Sequence, residues 1–177
     1  NTFEGHSEKI RVVQFSPDGN YILSGSGNIL GVDCSIRIWE IATSMIKKKI
    51  TWQEEPISSM ILSPYGKYII CGLTYFIPKE NCRIFIYDYN TEILVHILEG
   101  HKGSVDAIAL SPNGKFMISA SLDNTIKLWE LHSWKLVETL QGHEDAVRSV
   151  AFSPDGNYIF SGSWDKTVKI WNFRDLI

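Results

Sequence analysis

Four tandem copies of one short-stranded unit predict an all-β fold of four four-stranded antiparallel sheets. Three observations carry that prediction. Ser-Pro pairs recur at Ser16-Pro17, Ser63-Pro64, Ser111-Pro112 and Ser153-Pro154, spaced 47, 48 and 42 apart, and each runs on into a turn with Gly19, Gly66, Gly114 or Gly156. Ten residues before each pair stand His6, Gln53, His101 and His143, the three histidines each preceded by Gly. An aromatic residue, Trp39, Tyr87, Trp129 or Trp171, closes each unit. A period of about 42 with two insertions is a repeat signature, and repeats of that length stack side by side.

The elements of a unit follow in order. Pro has a fixed φ and Gly has access to φ > 0, so Ser-Pro-Asp-Gly between apolar runs makes a tight reversal joining two strands. In Thr125-Ile126-Lys127-Leu128-Trp129 and Thr167-Val168-Lys169-Ile170-Trp171, apolar and polar residues alternate with the period of a half-buried strand. The run Leu136 to Leu140, which leads into the next Gly-His, reads as an outer strand. Four strands a, b, c and d per unit at this period point to the blades of a β-propeller.

In phase, Gly-His, Ser-Pro-Asp-Gly and Ser-Gly-Ser-Trp-Asp-Lys-Thr-Val-Lys-Ile-Trp resemble the WD-repeat (Trp-Asp repeat, G-beta-like) family. The resemblance covers the whole chain, closely in repeats one, three and four and loosely in repeat two. It implies a single propeller segment over residues 1–177, with repeats near 5–50, 51–98, 100–140 and 142–177. It also implies rings of about seven blades, so four repeats are expected to be part of a larger propeller. The remaining blades would come from the same longer chain or from a second copy. Asn1 to Glu4 resembles the end of an outer strand, the chain lacks an initiator Met, and Phe173 to Ile177 stops where repeat three makes its c-to-d turn. The last repeat is therefore expected to lack its outer strand.

Composition narrows the function. The 177 residues carry 17 Lys and Arg against 20 Asp and Glu, a formal charge of -3, with 44% apolar residues. That balance argues against sequence-independent nucleic-acid binding, which needs bulk positive charge. No apolar run approaches the ~18 residues of a membrane span, and nothing marks a signal peptide, so an intracellular protein of the cytoplasm or nucleus is expected. Cys34, Cys71 and Cys82 are an odd count without C-x-x-C spacing, which suggests neither a disulfide framework nor a zinc site. No metal and no cofactor are expected.

Repeats one, three and four contain His6, Ser24, Asp33 and Trp39; His101, Ser119, Asp123 and Trp129; and His143, Ser161, Asp165 and Trp171. Ser, His and Asp are the residue types of a hydrolase triad, but catalysis needs one exposed nucleophile with an oxyanion hole. A hydrogen-bond chain tying a blade together is needed in every repeat, and repetition favours that structural reading. There is also no Gly-x-Ser-x-Gly elbow. The resemblance implies the same tetrads, and no catalytic residue is assigned. Repeat two offers Gln53, Cys71, Asn81 and Tyr87 at these positions. Insertions of five and six residues lengthen the b-to-c loops of repeats one and two, within Gly27 to Val32 and Thr74 to Glu80. They are either neutral loops or a raised lip beside a binding surface, for which Leu30, Tyr75, Phe76 and Ile77 supply apolar side chains.

The function implied is a non-catalytic scaffold that binds partner proteins or peptides through the top face, formed by the loops before strand a and between b and c. The alternative is a regulatory or substrate-recognition module of a larger protein whose enzymatic or motor part lies elsewhere. Carried residue by residue, the top-face positions are Val32, Leu122, Trp164 and Glu80 before the tetrad acid or its counterpart; Arg11, Ser58, Asp106 and Arg148 five after the histidine position; and Lys9, Pro56, Ser104 and Ala146 two residues earlier. Trp164 and Arg148 stand out, because Trp and Arg dominate interface hot spots, followed by Arg11, Lys9, Asp106, Leu122, Tyr75 and Phe76. Gly25-Ser26-Gly27 lacks the spacing of a phosphate loop, Lys47-Lys48-Lys49 reads as protection of a sheet edge, and His96 and His132 have no ligand-spaced partners.

Overall fold

The computed structural model describes residues 1–28, 30, 32–51, 56–74 and 82–177. Every strand lies in an antiparallel meander. Blade 1 is β1 (Ile10–Phe15), β2 (Tyr21–Ser26), β3 (Ser35–Glu40) and β4 (Ile46–Thr51); blade 2 is β5 (Ile57–Leu62), β6 (Tyr68–Leu73), β7 (Cys82–Asp88) and β8 (Leu94–His101). Blade 3 is β9 (Val105–Leu110), β10 (Phe116–Ser121), β11 (Ile126–Glu130) and β12 (Lys135–Leu140), and blade 4 is β13 (Val147–Phe152), β14 (Tyr158–Ser163) and β15 (Val168–Asn172). The fourth blade thus has three strands where a full repeat has four, and a 3₁₀ turn over Phe173–Asp175 follows β15. Residues 1–4 form no strand, and the Phe3 ring packs edge-on against Trp39 of blade 1 at 5.8 Å.

The Ser-Pro turns work through their first and last residues. Ser16, Ser63, Ser111 and Ser153 are buried, and their Oγ atoms accept from the amides of Tyr21, Tyr68, Phe116 and Tyr158 at 2.8 to 3.0 Å. The closing glycines sit at φ between 66° and 70°, the left-handed region that a side chain disfavours. Strands a and b carry a bulge near the upper edge in every blade, and strands c and d of blades 1 to 3 carry one at Trp39, Tyr87 and Trp129. Each bulge raises the local twist and re-aims a side chain.

The apolar core lies between blades. Ile36 and Ile38 of β3 meet Ile57, Met60 and Leu62 of β5; Ile84 and Ile86 of β7 meet Val105 and Met117; Ile126 and Leu128 of β11 meet Val147 and Ile159. First strands of successive blades touch one another in the order β1, β5, β9, β13. Strand c of blades 1 to 3 therefore buries its alternate apolar residues under strand a of the next blade, which is why the alternation seen in the sequence recurs from repeat to repeat.

Candidate functional site

The meander puts the b-to-c turn of each blade, and the segment leading into its first strand, on one edge, the upper one. The tetrad residues converge there. In blade 1, His6 Nδ1–H donates to Asp33 Oδ2 at 2.8 Å, Ser24 Oγ–H donates to His6 Nε2 at 2.7 Å, and Trp39 Nε1–H donates to Ser24 Oγ at 2.7 Å. An indole N–H can only donate, so the serine proton goes to Nε2 and Nδ1 carries the imidazole proton. Blade 3 repeats the chain through His101, Asp123, Ser119 and Trp129 at 2.8, 2.8 and 2.9 Å. Blade 4 repeats it through His143, Asp165, Ser161 and Trp171 at 2.6, 2.7 and 2.9 Å. In all three blades the carboxylate also accepts from the backbone of the residue after the histidine, Ser7, Lys102 or Glu144. Ser24, Ser119 and Ser161 are buried. In blade 2, Cys71 and Tyr87 are buried, while Gln53 and Asn81 lie outside the described residues.

Burial pushes the three tetrad carboxyls up, but accepted hydrogen bonds outweigh it and hold them well below the ordinary carboxylate range. The donors are Ser35, His6, Ser7 and Arg37 for Asp33; His101, Thr125 and Lys102 for Asp123; and Thr167, His143 and Glu144 for Asp165. Burial, with the charges of Arg37 and Lys49, lowers the His6 pKa against the pull of Asp33. Arg37 escaped the sequence reading. Its Nη2–H donates to Asp33 Oδ1 at 3.1 Å and its guanidinium lies 6.0 Å from the Trp39 ring centre, at the position that Lys127 and Lys169 hold in repeats three and four. The signal in the sequence was an Arg at a position where repeats three and four have Lys and repeat two has Phe85.

Three of the top-face residues form one group across two blades. Arg148 at the head of β13 donates from Nη1 to Asp106 Oδ2 of β9 at 2.5 Å, and its guanidinium lies over the Trp164 ring at 4.8 Å. Trp164 is 58% exposed in the turn between β14 and β15, while the Asp106 side chain is buried beneath the arginine. Burial pushes the Asp106 carboxyl up, against the pull of Arg148. The other residues are dispersed. Arg11 Nε–H reaches Gly27 O of its own blade at 3.4 Å, Lys9 and Val32 are exposed, and Leu122 is half-buried. Ser58 Oγ–H donates to Val105 O at 2.5 Å, so that position is spent on the joint between blades 2 and 3. Pro56, Ser104 and Ala146 are buried beneath neighbouring chain, which leaves Lys9 as the accessible residue of its set. In the first insertion Asn28 Oδ1 accepts from Leu30 N and Val32 N at 2.9 and 3.0 Å, and Leu30 is exposed. Tyr75, Phe76, Ile77 and Glu80 lie outside the described residues.

Among the described residues no group of His, Cys, Asp and Glu has the geometry to hold a metal ion, and no helix is long and apolar enough to cross a membrane. Comparison with known proteins finds the family described as WD domain, G-beta repeat at residues 1–40, 92–130 and 134–172. The target of rapamycin complex subunit wat1 of Schizosaccharomyces pombe is 28% identical over 123 residues, 68% of this chain and 36% of that protein. Protein groucho of Drosophila melanogaster is 31% identical over 124 residues, 69% of this chain and 16% of that protein. Pre-mRNA-processing factor 17 of Saccharomyces cerevisiae is 29% identical over 133 residues, 72% of this chain and 26% of that protein. The chain therefore spans little more than a third, or less, of the length of these relatives. The family match falls on the repeats with Gly-His and a tetrad, covers more than half the chain, and accounts for its succession of antiparallel blades: this chain belongs to the WD-repeat family.

Proposed function

We propose that the chain is a non-catalytic interaction scaffold whose upper edge docks partner proteins or peptides at Trp164 and Arg148, with Asp106, Leu122, Arg11 and Lys9 around them. The observation that carries this reading is the exposed Trp164 ring, held under a guanidinium that is itself anchored to a buried carboxylate of the neighbouring blade. A preorganised aromatic and arginine pair loses little side-chain freedom on binding, which is what an interface hot spot requires. The tetrads serve as staples. Their serine oxygens are buried, each accepts from an indole, and the arrangement recurs in three blades, whereas a hydrolase needs one reachable nucleophile. Protein partners, rather than nucleic acid or membrane, fit the -3 charge. Three buried cysteines fit a reducing compartment, the cytoplasm or the nucleus.

A second reading rests on coverage. Relatives whose length this chain spans by 16% to 36% leave room for further domains, and the blades would then recognise substrates or regulators for an activity housed there. Two substitutions test the scaffold reading. Trp164→Ala is expected to weaken capture of a co-purifying partner at least about ten-fold with an unchanged melting temperature. His143→Ala is expected to lower stability by about 1–3 kcal/mol through unpaired buried groups. Partner capture that survives Trp164→Ala overturns the upper-edge site, and an ester-hydrolysis activity lost in His143→Ala at unchanged melting would restore a catalytic role.

A further inference from the structure

The contact of Arg148 with Asp106 and Trp164 has the form of a small binding site that already holds an occupant. Its two walls come from different blades. One is the Asp106 carboxylate of β9, whose side chain is 8% exposed beneath the arginine; the other is the Trp164 ring, exposed in the turn between β14 and β15. That turn is tied down, because Trp164 N–H donates to Ala146 O at 2.9 Å in the segment leading into β13. The occupant is the Arg148 guanidinium, with Nη1–H on Asp106 Oδ2 and its carbon 4.8 Å from the ring centre. An aromatic face to lie on and a carboxylate to donate to are the two things that hold a planar guanidinium.

The sister repeats act as an internal control, and they show that a joint between blades does not need this contact. Arg11, Ser58, Asp106 and Arg148 hold one repeat position. Where blades 2 and 3 meet, Ser58 Oγ–H donates to the Val105 carbonyl instead. Arg11, which has Ser58 and not an acid at the same position of the next blade, turns to Gly27 O of its own blade at 3.4 Å. The ring belongs to blade 4 alone as well, because Val32, Glu80 and Leu122 stand at the position of Trp164 in the other repeats. The joints between the other blades are made by different means, so the Asp106, Arg148 and Trp164 contact is an addition to the fold.

The occupant is replaceable. The Arg148 side chain is 43% exposed, so it can leave the seat towards solvent without a movement of either blade. What it leaves behind is a carboxylate in a poorly solvated place, where burial already pushes the Asp106 carboxyl up, and a buried charge without a counter-ion is costly. The vacated seat therefore calls for another cation, and the Trp164 ring beside it favours a flat one. We propose that Asp106 and Trp164 form a receptor for an arginine side chain of a partner protein, and that Arg148 is its resident occupant in the free chain. The partner's guanidinium takes the seat, and Arg148 moves to the rim beside it. This assignment rests on the upper edge being the docking face and names the chemistry that the face selects. A resident occupant also sets a threshold, since a ligand sees the seat only in the fraction of molecules where it is open.

The test needs no partner. N-acetyl-arginine amide is titrated into the 177-residue chain at about pH 8, chosen to keep the Asp106 carboxyl ionised, while the Trp164 indole N–H signal is followed by NMR. Trp164→Phe identifies that signal by its loss. In Arg148→Ala the arginine derivative is expected to shift it saturably and to bind at least about ten-fold more tightly than in the unaltered chain, where the resident competes. N-acetyl-lysine amide is expected to bind Arg148→Ala at least about ten-fold more weakly, because an ammonium has no plane to lay on the ring. Asp106→Asn added to Arg148→Ala is expected to abolish the shift. Arg148→Ser is the second opened variant should Arg148→Ala not fold. No saturable shift in the opened variant, equal affinity in the unaltered chain, equal binding of the lysine derivative, or binding that survives Asp106→Asn overturns the inference. Partner capture that survives Trp164→Ala overturns the docking face instead, so the two failures are told apart.

Discussion

Asp33, Asp123 and Asp165 stay ionised in the folded chain at pH values where the unfolded chain would protonate them, and His6 stays neutral where an unfolded histidine takes a proton. In both windows the unfolded state binds more protons, so stability rises with pH through each. The carboxylate contribution is fully present above the ordinary value of 3.8 and is lost as pH falls through the depressed folded values. The His6 contribution is fully present above 6.5 and declines as pH falls from there towards its lowered folded value. Melting curves from about pH 8 downwards are expected to show a shallow loss below 6.5 and a steeper one below 3.8, and His6→Gln is expected to remove the first while reducing only the Asp33 share of the second. At this scale the sequence exposed residues that recur at one offset, such as His143, Ser161, Asp165 and Trp171. It hid contacts made once and across blades. The Arg148 and Asp106 pair joins residues 42 apart on two blades, and the Arg37 contact with Asp33 is made in one repeat alone among those with a tetrad.

Strand b of each blade carries a small residue after the tetrad serine or its counterpart, and its neighbours decide what it tolerates. A Cβ on Gly72 would meet Ser59 Oγ at 2.5 Å and the Val105 carbonyl oxygen at 2.6 Å, the second belonging to the inner strand of the next blade. At the same place blade 3 has Ala120, and the partner across the ladder is Ala107 instead of Ser59, so the volume is balanced. On Gly162 of the last blade a Cβ would meet only the Ser149 hydroxyl, at 2.8 Å. Gly72→Ala is therefore expected to cost about 1–3 kcal/mol in denaturant unfolding, part of it recovered with Ser59→Ala, whereas Gly162→Ala stays near neutral. The strands themselves were legible from alternation and turn residues. The bulges at Trp39, Tyr87 and Trp129 were not, because they depend on the registration of β4, β8 and β12 against the aromatic residue, and no local pattern encodes that.

Across the whole molecule, the two outermost blade faces repeat positions that are buried or half-buried in the other blades. Val13 and Phe15 on blade 1 are exposed where Met60 and Leu62 of blade 2 are buried. Val168 and Ile170 on blade 4 are 74% and 63% exposed where Ile126 and Leu128 of blade 3 are at 0%. These complementary apolar faces are expected to make the 177-residue chain, taken alone, associate in a concentration-dependent way by light scattering. Ile170→Lys or Val13→Glu is expected to lower the mass without lowering the melting temperature, and a monomer at every concentration would refute this. The succession of blades was legible from the period of the repeat, whereas which faces stay open follows from the packing between blades. The joint between blades has one further consequence. Because strand c of each of the first three repeats receives strand a of the next, with the small strand b residue making room between them, each repeat carries one half of a seam at either side. Tandem duplication or deletion of a whole repeat would leave the surviving seams of the same kind, whereas a cut inside a repeat would spoil two; such a chain can change its number of blades by recombination more readily than it can change any one of them.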